Sequence, residues 1–66
     1  MTSALTAEER KVVVAMATAR TEADAAVMLG LSPQTVHAYL RSARAKQNVR
    51  TTRALVRKFE NTHDQA

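Results

Sequence analysis

Cysteine is absent from this chain of 66 residues, which excludes a disulfide framework, a thiolate nucleophile and any Cys-based zinc site. The two histidines, His37 and His63, fall short of the four protein ligands usual in structural zinc sites. Glycine and proline occur once each and aromatic residues make up 3%, so a Gly-rich phosphate loop and a strand-rich fold are both excluded. No apolar run approaches the ~18 residues of a membrane span. The opening residues lack the basic and apolar regions of a secretory signal, so a cytoplasmic location is expected. Isoleucine and tryptophan are missing, and 13 of the hydrophobic residues are alanine. A chain this short forms one domain and buries only ~60% of its unfolded surface. The core is therefore expected to be thin, with little material for a catalytic pocket. The carboxylates Glu8, Glu9, Glu22 and Asp24 sit where they complement helix dipoles. No enzyme activity, cofactor, metal or small-molecule ligand is expected.

What remains is alanine and charged helix formers, the composition of an all-α protein. Local signals divide it into four helices at about 6–19, 21–29, 33–47 and 51–61, one domain over 1–66 with 1–4 and 62–66 frayed. Thr6 with Glu9 three residues on is a capping box, and Leu5 is placed for a hydrophobic staple. Val12, Val13, Met16 and Ala17 form the apolar stripe of the first helix, with Val14 off it. Thr21 caps the second helix, whose buried side is Ala25, Ala26, Met28 and Leu29. Gly30 falls where a left-handed helix ending belongs. Ser32-Pro33 is an N-cap with proline at the first helical position. Val36, Leu40 and Ala43 then repeat at helical spacing, and Asn48 closes the third helix. Either Thr51 or Thr52 caps the fourth, with Leu55, Val56 and Phe59 as its stripe.

Charge is unevenly placed. Residues 41–58 hold Arg41, Arg44, Lys46, Arg50, Arg53, Arg57 and Lys58 and no acid, whereas the first 40 residues are near neutral. Such a cluster is either a solvated basic face or the footprint of a polyanion, whose counterions it displaces. The helix order favours the polyanion. A short helix, a tight turn through Gly30-Leu31-Ser32 and a longer helix make a helix-turn-helix, whose second helix enters the major groove of DNA. Gln34, His37, Ala38 and Arg41 then become candidates for base edges. Arg20, Thr21, Ser32, Thr35, Arg44, Lys46 and Arg50 become candidates for phosphates.

The segment Leu5-Thr6-x-x-Glu9, Val12-Val13, Ala17, then Ala26-x-x-Leu29-x-Leu31-Ser32-x-x-Thr35-Val36, then Lys46-x-x-Val49 and Arg53-x-x-Val56, resembles a LuxR-type (GerE-type) DNA-binding domain. The likeness covers residues 5 to about 58. Leu29-Gly30-Leu31-Ser32, Thr35-Val36 and Arg41-x-x-Arg44-Ala45 are also similar, more weakly, to region 4 of bacterial sigma factors. The resemblance implies a third helix that reads DNA and a fourth that mediates dimerisation. Departures from the LuxR-type pattern include Ala19, Glu22, Ala25, Tyr39 and Gln47-Asn48. Glu22 sets a carboxylate near the phosphate-facing end of the second helix.

These observations predict a small transcriptional regulator that binds double-stranded DNA as a homodimer, with no membrane association. Leu55, Val56 and Phe59 are the candidate interface of the dimer. The alternative is a protein-binding antagonist or co-regulator that pairs with another transcription regulator through the same stripe and needs no strong DNA contact.

Overall fold

The computed structural model describes the backbone of residues 4–65 and the side chains of residues 4–60. Residues 1–3 and 66, expected to fray, lie outside the described residues. Four helices follow one another: α1 (Ala7–Thr18), α2 (Glu22–Leu29), α3 (Pro33–Gln47) and α4 (Thr52–Gln65). Each start is written locally. The Glu9 N–H donates to Thr6 Oγ1 at 3.1 Å while the Thr6 N–H donates to Glu9 Oε1 at 2.8 Å, a complete capping box. The Asp24 N–H donates to Thr21 Oγ1, and the Thr35 N–H to Ser32 Oγ. Of the two candidates at α4, Thr51 is the cap, accepting from the Ala54 N–H at 3.0 Å. α4 extends to Gln65, past the expected end near 61, because its polar tail carries no stop signal that a sequence reading could use.

Two helix ends turn the chain inward. Gly30 has φ 69° and Asn48 φ 58°, both left-handed. The Leu31 N–H returns to the Ala26 carbonyl at 2.9 Å, and the Val49 N–H to the Arg44 carbonyl at 3.0 Å. This is the Schellman closure in both places. In each case the apolar residue after the left-handed one, Leu31 or Val49, packs against the core. The turn between α2 and α3 is thus fixed by one glycine and one leucine.

α1 and α3 form the central pair. α1 contacts all three other helices and α3 contacts α2 and α4, whereas α2 and α4 do not meet among the described residues. The core is Val12, Val13, Ala15, Ala25, Ala26, Val36, Leu40, Ala43 and Leu55. Four of these nine are alanine, so the helices approach closely where they cross. Met16, Leu29, Tyr39, Val56 and Phe59 complete the cluster from partly buried positions.

Two expected core residues are outside it. Ala17 is exposed and Ala15 is buried in its stead, because the buried face of α1 is centred between Val12 and Met16. Met28 is exposed as well, since α2 turns Ala25, Ala26 and Leu29 inward and leaves Met28 at the edge. Both are small rotations of the buried face, which a short alanine-rich stripe does not specify from sequence.

Candidate nucleic-acid interface

α3 presents two unlike faces. Val36, Leu40 and Ala43 are buried, while Gln34, His37, Ala38 and Arg41 are all exposed. The second set runs at i, i+3, i+4 and i+7, so it shares one side of the helix. The first turn is closed on itself. Ser32 Oγ lies 2.9 Å from Thr35 Oγ1 in addition to accepting the Thr35 N–H, so both hydroxyls serve the cap. Pro33 carries no N–H and the Thr35 N–H is held by Ser32, so in the first turn the Gln34 N–H is the one left for an outside acceptor, at the end of the helix whose dipole favours an anion.

Glu22 meets His37. His37 Nδ1 lies 3.1 Å and 3.4 Å from the two Glu22 carboxylate oxygens, joining the start of α2 to the exposed face of α3. With Nδ1 engaged as a donor, Nε2 is the ring atom left for an outside partner. The carboxylate singled out in the sequence therefore has an internal role, orienting the imidazole.

Around this face, Arg20, Thr21 and Arg50 are exposed. Thr21 also caps α2. Arg44 is half-buried and donates from Nη1 to Thr52 Oγ1 at 3.1 Å, which ties the end of α3 to the start of α4. Arg20 does not stand alone. It lines a groove with Arg53 and Arg57, two residues outside the expected interface set. Their common factor is tertiary, since the end of α1 meets the outer face of α4.

Lys46 differs from its expected place at the phosphates. Its ammonium donates to Glu9 Oε1 at 2.8 Å, where Glu9 is almost wholly buried. Ser42 Oγ donates to Glu9 Oε2 at 2.6 Å. Burial alone would raise the Glu9 pKa. The bonds from Lys46, Ser42 and the Thr6 N–H, with the Lys46 charge, outweigh it and hold the group down to about 2. Lys46 is thus committed inside the domain. Leu55 likewise leaves the expected partner surface: it is fully buried in the domain's own core, because α4 lays this residue against α1 and α3. Val56 and Phe59 remain partly exposed.

Residues 3–59 match the bacterial regulatory proteins of the luxR family, known as GerE. The chain belongs to this family. The match covers most of its length and all four helices in whole or in part. No curated relative and no solved structure matches the chain. As a luxR-family helix-turn-helix, the domain is all-α and of the DNA-binding transcription-regulator class, a class of regulators rather than of enzymes. No helix among its described residues is long and apolar enough to cross a membrane, and no group of metal-ligating side chains occurs among them.

In this luxR-family domain the Glu22 carboxylate is expected to weaken phosphate contact. Glu22→Gln keeps an acceptor for His37 while removing a charge, and should raise affinity for random duplex DNA about twofold to fivefold at low salt. Fluorescence anisotropy across a salt series measures this. Unchanged affinity at every salt concentration would place Glu22 away from the DNA backbone.

Proposed function

We propose that the domain regulates transcription by laying α3 in the major groove of duplex DNA. The observation that carries this reading is the single exposed side of α3, where Gln34, His37, Ala38 and Arg41 stand together opposite the buried Val36, Leu40 and Ala43. Gln34 suits adenine and Arg41 suits guanine, each by a bidentate pair, and the Ala38 methyl suits the thymine methyl. His37 contributes Nε2, its ring set by Glu22. Phosphates are held by Arg20, Thr21, Ser32, Thr35, Arg44 and Arg50, with the Gln34 N–H at the start of α3 assisting. Lys46 supports this set indirectly, through Glu9, instead of joining it.

The domain works as a homodimer on two half-sites through α4, with Val56 and Phe59 at the contact and Leu55 beneath them in the core. A regulator of this kind acts on chromosomal DNA in the cytoplasm. Binding-site selection from random duplexes, followed by titration of the selected site, tests the reading. Arg41→Ala should cost about 1–3 kcal/mol on the selected site and relax preference at one base pair. The same variant should lose much less on random DNA. An unaltered base preference in Arg41→Ala removes Arg41 from the reading set. Failure to select any duplex at low salt overturns the proposal as a whole.

A further inference from the structure

Among the described residues, three large apolar side chains are exposed: Val14 at 51%, Val27 at 82% and Met28 at 57%. Two of them, Val14 and Met28, face one another across α1 and α2. Val14 and Met28 line a groove of about 520 Å³ between α1 and α2, with Ala7 and Leu29 in its wall and the basic Arg10 and Lys11 along it. Val27 precedes Met28 on α2 but is not part of the groove wall. No residue of this groove belongs to the exposed face of α3 or to α4. Val14 and Met28 open into one groove instead of standing scattered, and contiguous apolar surface of this kind is what a partner covers.

The charge around the groove says what covers it. Lys11 reaches only Glu8, at 3.9 Å, and both side chains are mostly in solvent. Among the described residues no carboxylate pairs with Arg10. A symmetric second copy would set this basic edge against itself. The chain's own α4 stripe is flanked by Arg53, Arg57 and Lys58 against the carboxylate of Glu60, so it too is basic on balance. The complement is an apolar ridge bordered by carboxylates. A groove between two helices receives such a ridge most readily from a third helix, whose anchors at i, i+3, i+4 and i+7 follow its length.

We propose that the α1–α2 groove is a docking site for an acidic amphipathic helix of another protein. The groove would be occupied while α3 faces DNA, because the two surfaces share no residue. The proposal does not depend on how α3 reads DNA.

The test uses a labelled synthetic helix of about 15 residues, with leucine at the four anchor positions and glutamate beside them. A second peptide carries lysine for every glutamate. The acidic peptide should shift the backbone amide resonances of Lys11, Val14, Met28 and Leu29 and leave those of Gln34, His37 and Arg41 in place. Met28→Glu should weaken it at least about tenfold. Lys11→Glu should reverse the preference between the two peptides. Both replacements are at exposed positions, and the melting curve of each variant reports that it is folded.

Several outcomes would overturn the proposal. Shifts confined to α3 would mean that the peptide acts as a mere polyanion. Equal binding of both peptides would remove the charge complementarity. Self-association abolished by Met28→Glu would assign the groove to a second copy. Preferential binding to phosphatidylglycerol vesicles would assign it to a lipid surface. No binding of the acidic peptide at about 1 mM would leave the groove without the proposed occupant.

Discussion

Glu9→Ala is expected to lower the melting temperature by roughly 10–20 °C, on the scale of a few degrees per kcal/mol for a domain of this size. The carboxylate closes the capping box of α1, accepts from Ser42 and holds the Lys46 ammonium, all from a nearly buried position. Its removal leaves three donors short of a partner, one of them charged, and breaking a buried pair from one side costs about 3 kcal/mol or more. Acidity should have a related effect. The folded pKa near 2 lies below the ordinary 4.5, so the ionised group favours the folded state. That contribution, at most about 3 kcal/mol, is fully present above pH 4.5 and is lost as the pH falls toward 2. Urea denaturation of wild type at a series of pH values should show this decline. Glu9→Gln, with no charge to titrate there, should show a flatter profile over the same window. Parallel profiles for the two proteins would mean that the carboxylate is no more stabilised in the fold than in the open chain.

Leu55→Ala should be about as damaging, at about 2–5 kcal/mol. Leu55 is one of the two leucines that are wholly buried, and among the described residues α4 contributes no other to the fully buried core. The alanines around it cannot move in to fill the space, so a cavity is expected between α1 and α4. For a domain whose total stability is on the order of 3–10 kcal/mol, this loss removes a large share of the folded population. Val56→Ala should cost less, because Val56 is only partly covered. The comparison separates two roles for the α4 stripe. A Leu55→Ala protein that melts like wild type but changes its solution mass would return Leu55 to a partner surface.

The helix ends were the most legible part of this sequence. Thr6 with Glu9, Thr21, Ser32-Pro33, Gly30 and Asn48 act within three or four residues of themselves, so their spacing is their geometry. The exposed side of α3 was legible for the same reason, since Val36, Leu40 and Ala43 leave only one side for Gln34, His37, Ala38 and Arg41. Contacts made across the chain were not. Glu9 reads as a capping residue, and nothing near it announces Ser42 or Lys46, more than thirty positions away. Lys46 reads as one more base in a basic run until its partner is seen. The meeting of Glu22 with His37, and of Arg20 with Arg53 and Arg57, depends on how the helices cross. Stripe phase was only half legible. Alanine is small enough to sit on either side of a boundary, which is why Ala17 and Ala15 exchange places and Met28 emerges.

The anchoring of α3 near its C-terminal end has a mechanical consequence. Ser42 and Lys46 are four residues apart on that helix and both hold one carboxylate of α1. A roll of α3 about its long axis would swing both donors off Glu9 together and strand a buried charge. The linkage therefore works as a torsional stop, setting the angle at which the side chains one or more turns upstream are offered to a surface. Loosening it would blur the alignment of those side chains before the domain came apart.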